Sequence, residues 1–208
     1  MDILEYEQRL WNKGFKNIAF CDEVGRGCLF GPVLAATVIL PEGLVIEGVK
    51  DSKKLSPKKR ELLYEEIKKN AIAIGVGLSS SNLIDQINIK NATKVAMKKA
   101  VLSLKDFNEK HLVPDYILID AETIDLDIPQ KSIPKGDNVS HGIAAASIVA
   151  KVIRDRMCID WDNQYPNYGI KQHKGYGTKQ HNEAILKYGP TELHRKTFLK
   201  KLLQKEII

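Results

Sequence analysis

The sequence predicts an α/β fold, in which a central sheet is flanked by helices. Apolar runs of strand length, rich in β-branched residues, alternate along the chain with longer runs whose apolar residues recur at helical spacing. A chain of 208 residues is long enough to bury a core as one large domain. Because no repeat or low-complexity linker divides it, we expect a single domain over residues 1–208, with residues 178–208 as a basic, mostly helical C-terminal segment.

Four apolar runs are the predicted strands. They are the segments NIAFCD (17–22), PVLAATVIL (32–40), AIAIGVGL (71–78) and YILID (116–120). Each has the length and the apolar composition that are typical of a buried strand. The stretch after the last of them is rich in Asp and Pro, which predicts a loop.

Five segments are predicted to be helical. They are residues 3–11, 57–69, 89–104, 140–157 and the chain from Thr178 onward. Ser56 followed by Pro57 is a typical helix start, and Ser140 is a candidate cap for the fourth helix. The third segment carries lysines on the side opposite its apolar residues, as an amphipathic helix does.

Composition excludes several classes of protein. The cysteines are Cys21, Cys28 and Cys158, an odd number without metal-ligand spacing, which argues against a disulfide framework and a zinc site. The longest uncharged stretch, residues 27–41, is broken by glycines and prolines, and the amino terminus is charged. We therefore expect neither a signal peptide nor a membrane span, and a cytoplasmic protein.

The net charge of +6 lies in the C-terminal part of the chain. Residues 1–170 carry 23 Lys and Arg against 23 Asp and Glu, whereas residues 171–208 carry nine against three. Three of the five histidines, His173, His181 and His194, lie there too. A second basic cluster, KDSKKLSPKKR, spans residues 50–60. Both clusters suit contacts with phosphates, the alternative being a solvated surface.

Four acidic residues fall at the ends of predicted elements. Asp22 and Glu23 end the first strand, Asp120 ends YILID, and Asp137 lies shortly before the alanine-rich helix. Strand carboxyl ends form the crevice in which α/β proteins bind ligands, so these side chains can meet. Adjacent side chains on a strand point to opposite faces, so Asp22 and Glu23 share a site only if the chain turns between or just after them. The following Gly-Arg-Gly permits such a turn.

Carboxylates without clustered Cys or His predict a hard cation, Mg²⁺ or Mn²⁺, rather than zinc. Such a cluster repels itself, and also a phosphate, unless metal ions neutralise it. The alternative for any one acid is a turn residue or a helix cap, an interpretation that suits Asp137, which precedes Asn138, better than it suits Asp120.

Six blocks of the sequence resemble bacterial ribonuclease HII and follow that family's order, from about Phe15 to Phe198. They are DEVGRGCLFGPVLAATVIL, DSKKLSPKKRELL, ILIDA, KGDNVSHGIAAASIVAKVIRDRM, YPNYGIKQHKGYGTKQH and HRKTF. The resemblance implies a ribonuclease H-like fold, with a central mixed sheet, helices on both faces and a helical C-terminal extension. It also implies metal-dependent endonucleolytic cleavage of RNA within RNA–DNA hybrids and at ribonucleotides embedded in duplex DNA.

The family's metal ligands fall on Asp22, Glu23 and Asp120, with Asp137 as the fourth active-site carboxylate. The resemblance implies two Mg²⁺ or Mn²⁺ ions, which activate water and stabilise the leaving 3′ oxygen. The implied products carry 5′-phosphate and 3′-hydroxyl ends. Asp155 lies well inside a predicted helix between two arginines, so we expect it to form a structural ion pair.

The resemblance also implies how the substrate is read. In the family, the segment matching Gly25, Arg26 and Gly27 reads the ribose 2′-hydroxyl at an RNA-to-DNA junction, and Arg26 suits a phosphate. Tyr176 matches the tyrosine that packs on the deoxyribose after the junction. The alternatives are a tight turn and a buried loop anchor. The expected phosphate contacts are Lys53, Lys54, His173 and Lys174.

Three other functions stay open at this point. A ribonuclease H-like integrase or resolvase would use the same carboxylates to cut all-DNA substrates, and a hybrid-binding module would bind without cleavage. Ribonuclease HIII fits less well, because it normally carries a substantial domain before its Asp-Glu pair. The expected assembly is a monomer, and a sliding clamp is a possible partner through FLKKLLQKEII (198–208), although an amphipathic helix explains that segment better.

Overall fold

Five strands form one mixed sheet in the computed structural model, which describes residues 3–204. The strands are β1 (Ile18–Val24), β2 (Val33–Ile39), β3 (Ala73–Ser79), β4 (Tyr116–Asp120) and β5 (Gln130–Ile133). Their order across the sheet is β3-β2-β1-β4-β5. The pairs β1–β2 and β2–β3 are antiparallel, and the pairs β1–β4 and β4–β5 are parallel. The α/β class and the mixed sheet predicted from the sequence are confirmed.

The helices surround this sheet. They are α1 (Glu5–Trp11), α2 (Pro57–Asn70), α3 (Ser81–Leu102), α4 (His141–Gln164), α5 (Ile170–His173), α6 (Lys179–Tyr188) and α7 (Lys196–Leu203). Three predicted starts are confirmed, since the hydroxyls of Ser56, Ser140 and Thr178 each accept a backbone N–H in the first turn of α2, α4 and α6. None of the helices that the structure describes is long and apolar enough to cross a bilayer.

Helix α3 contains a break at Asn88, and the sequence pattern predicted only the part of the helix that follows it. Asn88 has a φ of 66° and a ψ of 164°, and its side chain accepts a hydrogen bond from the N–H of Asn91 at 3.1 Å. The helix predicted from residue 89 is therefore the second part of α3, started by Asn88 as a cap. The first part, residues 81–87, was not predicted.

The two faces of the sheet carry different helices. Helix α4, with α1 and α2, packs on one face through a core that includes Phe20, Leu34 and Leu118, and α3 packs on the other. On the α3 side, Gly75 and Gly77 of β3 let the two backbones touch. A Cβ at either position would lie 2.1 Å or 2.0 Å from a carbonyl oxygen of α3, so only glycine fits.

Strand β5 lies in the stretch predicted to be a loop. Its four residues pair with β4, Ile133 lying beside Asp120. The strand lies between Pro129 and Pro134 and its residues are mostly polar, so its sequence does not resemble a buried strand. It forms because the edge of β4 offers backbone partners, which only the tertiary structure reveals.

The C-terminal segment is part of the body of the protein. A third core cluster joins Phe30, after β1, to Trp161 of α4, Ile185 of α6 and Leu199 of α7, all buried. Helices α6 and α7 confirm the predicted helical tail as far as the structure describes it. Residues 205–208, including the end of the possible clamp segment, lie outside the described residues.

Candidate active site

The parallel pairing of β1 with β4 brings two acidic residues together. Cys21 pairs with Ile119, so the next residues of the two strands, Asp22 and Asp120, lie at adjacent carboxyl ends. One carboxylate oxygen from each of Asp22, Glu23 and Asp120 lies within 4.8 Å of the others. The structure therefore assembles three of the four predicted acids into one cluster at the sheet edge.

Burial and mutual repulsion raise the free energy that is needed to ionise this carboxylate cluster. Desolvation raises the pKa of Asp22 well above its usual value, and the charges of Glu23 and Asp120 raise it further. Burial also raises the pKa of Glu23, although Arg26 opposes the change. Burial raises the pKa of Asp120 as well, although the N–H of Gly136, which donates to its Oδ1 at 2.7 Å, opposes the change. The pKa of all three carboxyls is therefore raised on balance, which disfavours the anionic cluster in the absence of a cation.

The donor set fits a divalent cation. All the clustered atoms are carboxylate oxygens, the ligands that Mg²⁺ and Mn²⁺ prefer. Oε2 of Glu23 is buried and has no hydrogen-bond partner among the described residues. A buried carboxylate oxygen without a partner is costly unless a cation or a donor binds it. The three carboxylates therefore have the chemistry of a metal site.

Asp137 lies beside the cluster, in the short 3₁₀ turn Gly136–Asn138 that follows β5. Its charge raises the pKa of Asp120, and its own Oδ1 accepts a hydrogen bond from Nδ2 of Asn138 at 2.8 Å. The carboxylate of Asp137 does not belong to the group of three carboxylates whose oxygens lie within 4.8 Å of one another. It lines the cleft that opens above Asp120.

That cleft, about 570 Å³ in volume, also carries two of the predicted phosphate contacts. Lys53 and Lys54 lie on the 3₁₀ turn Ser52–Lys54, which Asp51 caps by accepting the N–H of Lys53. Nζ of Lys54 donates to the side chain of Asn138, across the cleft, and both lysines are exposed. Two cations are thus available at the edge of the acidic cluster.

The Gly-Arg-Gly segment turns away from the sheet directly after β1. Gly25 has a φ of 89°, and a Cβ there would lie 2.6 Å from the guanidinium carbon of Arg154. The turn just after Asp22 and Glu23 that the sequence required is therefore present. Arg26 lies between two carboxylates, 3.3 Å from Glu23 and 3.5 Å from Glu122, and is 38% exposed at its side chain.

Tyr176 lies next to this segment although it comes 149 positions after Gly27 in the chain. Its ring is 3.8 Å from the position that a Cβ of Gly27 would occupy, and its backbone forms a bridge with Cys28. The tyrosine is 44% exposed. Half-buried aromatic carbon beside a glycine-rich backbone suits the packing of a sugar ring.

The comparison with known protein families identifies the chain. The family model described as Ribonuclease HII matches residues 20–202. The chain belongs to the ribonuclease HII family. Ribonuclease HII of Alkaliphilus metalliredigens (strain QYMF) is 70% identical over 204 residues, which cover 98% of this chain and all of the relative. Ribonuclease HII of Bacillus subtilis (strain 168) is 54% identical over 198 residues, 95% of this chain and 75% of that one. The chain is therefore a ribonuclease H-type hydrolase.

Solved structures support the same fold. The ribonuclease H2 from Pyrococcus horikoshii OT3 superposes with a TM-score of 0.74 at 24% identity, covering 91% of this chain and 98% of that one. The RNase HII of Archaeoglobus fulgidus, solved as a PCNA:RNase HII complex, gives 0.68 at 26% identity, covering 89% and 96%. The ribonuclease H-like fold expected from the sequence is confirmed.

His173, one of the predicted phosphate contacts, is an internal residue. The ring of His173 is buried, its Nε2 lies 2.7 Å from the carbonyl oxygen of Tyr168, and its Nδ1 accepts the N–H of Gly175 at 3.2 Å. It stacks on His181 at 4.3 Å. With its ring nitrogens engaged by Tyr168 and Gly175, His173 anchors the loop before Tyr176, and its contact with a phosphate stays a prediction.

The other tail histidines are also internal. His181 and His194 are buried with their Nε2 atoms 3.2 Å apart, and desolvation lowers the pKa of each to about 4. Both rings are therefore neutral at pH 7 and add no charge for a phosphate. Lys174, by contrast, is half-buried and lines a cleft between α2 and α4.

Asp155 forms the ion pairs expected of it, but with other partners. Its carboxylate lies 3.4 Å from Arg60 of α2 and 2.7 Å from Lys151, one turn earlier in α4. The flanking arginines point elsewhere, since Arg154 binds the carbonyls of Phe30 and Pro32. The prediction of a structural ion pair is confirmed.

Several residues near the site were not singled out from the sequence. Ser147 of α4 hydrogen-bonds to Asp22, and its Oγ lies 2.9 Å from that of Ser52, so the two hydroxyls also share a hydrogen bond. Glu122, two residues after Asp120, lies 3.5 Å from the same guanidinium nitrogen of Arg26 that pairs with Glu23. Proximity to a predicted ligand was the only sequence signal for Glu122, and there was none for the serines.

Proposed function

We propose that this chain hydrolyses the RNA strand of RNA–DNA hybrids and cuts 5′ to ribonucleotides embedded in duplex DNA, leaving 5′-phosphate and 3′-hydroxyl ends. One observation carries the proposal. The carboxylate cluster of Asp22, Glu23 and Asp120 lies at the end of β1, and the Gly25–Gly27 segment, with Tyr176 beside it, follows directly. The proposed cleaving centre and the proposed surface for reading sugars are thus adjacent.

The proposed cofactor is a pair of divalent ions, Mg²⁺ or Mn²⁺, held by Asp22, Glu23 and Asp120 with Asp137 beside them. Such ions, when bound, lower the pKa of a water and stabilise charge on the leaving oxygen. The buried, partnerless oxygen of Glu23 supports this assignment, and so does the raised pKa of Asp22.

The remaining residues bind and orient the nucleic acid. Lys53, Lys54 and Lys174 are proposed to neutralise phosphates, while Arg26 exchanges its carboxylate partners for a phosphate when the substrate enters. The backbone of Gly25–Gly27 is proposed to read the ribose 2′-hydroxyl, the group that distinguishes RNA from DNA. Tyr176 then packs against the next sugar, which must lack that hydroxyl.

Assembly and location complete the proposal. We propose a monomer that acts in the cytoplasm. A sliding clamp is a candidate partner because the similar Archaeoglobus fulgidus protein was solved with PCNA. In the segment expected to bind it, however, Leu199 is buried and Phe198 and Leu202 pack against the core clusters, as in an amphipathic helix.

Three duplexes of one sequence test the function. One contains a single ribonucleotide, one is a continuous RNA–DNA hybrid and one is all DNA, and each is incubated with Mg²⁺ or Mn²⁺ before the ends are mapped. We expect cleavage 5′ to the ribonucleotide and within the RNA strand. Cleavage of the all-DNA duplex would indicate an integrase-like nuclease, and binding without cleavage of any duplex would indicate a binding module.

A further inference from the structure

The C-terminal block HRKTF contains an arginine that the proposed function does not use. Arg195 is fully buried, and it forms no ion pair with any carboxylate among the described residues. Desolvation lowers its pKa to about 10, which still leaves the guanidinium charged at pH 7. A buried charge persists only where hydrogen bonds replace its hydration.

Those hydrogen bonds all go to the segment that follows β1. Nε of Arg195 donates to the carbonyl of Gly31 at 3.0 Å, one Nη to that of Arg26 at 2.7 Å, and the other to that of Gly25 at 2.7 Å. The planar guanidinium thus ties both ends of the segment to the start of α7. The backbone adds further ties, from Leu29 to Gly175 and from Gly31 to Leu193, each 2.8 Å.

The direction of these carbonyls fixes the direction of the neighbouring amides. In a trans peptide the C=O of one residue and the N–H of the next point to opposite sides, and the described residues contain no cis bond. Because Arg195 holds the carbonyls of Gly25 and Arg26, the N–H groups of Arg26 and Gly27 point away from it. Neither amide donates to another atom of residues 3–204, so both are available to a ligand oxygen.

We propose that Arg195 is a positioning residue for ribonucleotide recognition: by holding the Gly25 and Arg26 carbonyls it presents two successive amides to the 2′-hydroxyl. This inference rests on the proposed function of the Gly25–Gly27 segment. It gives the C-terminal block a role in substrate choice, distinct from the phosphate contacts expected of the exposed tail lysines.

The test compares binding of a single-ribonucleotide duplex with binding of the all-DNA duplex, by fluorescence anisotropy in EDTA. Arg195→Lys keeps the charge, but a single nitrogen cannot span three carbonyls. We expect the preference of the wild type for the ribonucleotide to fall about five- to tenfold in this variant, as for one lost hydrogen bond. The control Lys196→Ala removes an exposed neighbouring charge and should weaken both complexes equally.

The outcomes separate the inference from the function on which it rests. A wild type without any preference would overturn the proposed reading by Gly25–Gly27 and, with it, the role of Arg195. A preference that Arg195→Lys retains, or that Lys196→Ala loses equally, would overturn the role of Arg195 alone. If the Arg195→Lys variant is only partly folded, its affinities for the two duplexes fall together and their ratio stays the same as in the wild type. An unchanged ratio would also count against the proposal.

If the Arg195→Lys variant fails to fold, a measurement on the wild type still tests the proposal. In protein labelled with ¹⁵N-arginine, the guanidinium signals of Arg195 should shift more with the single-ribonucleotide duplex than with the all-DNA duplex. Equal shifts with the two duplexes would overturn the positioning role.

Discussion

The backbone N–H of Gly136 donates to Oδ1 of Asp120 at 2.7 Å, which ties the strand-end carboxylate to the turn that carries Asp137. An asparagine at position 120 retains an oxygen that accepts this hydrogen bond but removes the negative charge. The contact therefore separates the structural role of Asp120 from its proposed role as a metal ligand.

Asp120→Asn should lower cleavage of the single-ribonucleotide duplex by more than about 100-fold. Even the mutation of a residue that only hydrogen-bonds to a metal ligand typically lowers metal affinity or activity about 10- to 100-fold. The Tm should be unchanged or higher, because the repulsion between the carboxylates of the cluster falls. Cleavage and unfolding are measured on the same preparations. Asp125→Asn, at a fully exposed position, is the control. Turnover near that of the wild type would contradict the assignment, and unfolding would make Asp120 structural.

Asp22→Asn should stabilise the metal-free protein at neutral pH. The folded pKa of Asp22 is raised, so its contribution to stability is present below the usual carboxyl pKa and is lost as the pH rises through the folded value. Above the usual carboxyl pKa, the burial of Asp22 beside two other carboxyls therefore lowers the stability of the fold. Calorimetry with and without Mn²⁺ checks this. Mn²⁺ should raise the Tm of the wild type and have little effect on the variant. An equal rise in both proteins would count against metal binding at Asp22.

The buried histidines predict a loss of stability in acid. The pKa of His194 is lowered from 6.5 to about 4, so the unfolded chain binds the proton more readily, and stability falls as the pH drops through that window. His194→Gln cannot be protonated, so the stability gap between wild type and variant should narrow from pH 7 to pH 4.5. Urea unfolding at the two pH values measures the gap. A constant gap would show that burial does not shift this titration.

The salt dependence of binding should identify the phosphate contacts. Removing the whole segment 171–208 would not isolate charge, because it would also remove Leu199 and Ile185 from the core and Arg195 from its loop. Lys53→Gln should instead reduce the slope of log K against log salt by about 0.9 if it binds one phosphate of a B-form duplex. Lys68→Gln, in the last turn of α2, should leave the slope unchanged. Equal slopes in both variants would make Lys53 a solvated surface residue.

Tyr176→Ala should reduce cleavage at a single ribonucleotide about 5- to 150-fold, by analogy with aromatic contacts to bases of about 1 to 3 kcal/mol. Tyr176→Phe should lose less, because it keeps the ring. Both variants and the wild type are compared on the single-ribonucleotide duplex and on the continuous hybrid. An equal loss on the two substrates would make Tyr176 a general loop anchor.

The sequence was sufficient for the features that local chemistry determines. Acids that directly follow apolar runs predicted the cluster of Asp22, Glu23 and Asp120, and Ser56 and Ser140 predicted helix starts. These features depend on residues close together in the chain, so their pattern is visible without a structure.

Features that depend on contacts between residues far apart in the chain could not be predicted from local sequence patterns. His173 counted as a basic residue of the tail, yet its neighbours bury it. Arg195 likewise added to the net charge, although its hydrogen bonds cross to residues about 170 positions earlier. Composition counts charged groups but does not report which of them face water, and only the fold supplies that information.

The backbone ties between the loop after β1 and the last part of the chain bear on biosynthesis. All four acids have been synthesised by residue 137, and all five strands of the sheet precede α4. The loop from Gly25 to Gly31, however, takes partners from Gly175 and from Leu193 to Arg195. Because domains fold while the ribosome extends the chain, a nascent polypeptide released before these positions would carry the four acids without these partners of the Gly25–Gly31 loop. Synthesis of the last part of the chain therefore supplies the contacts that hold this loop beside the acids.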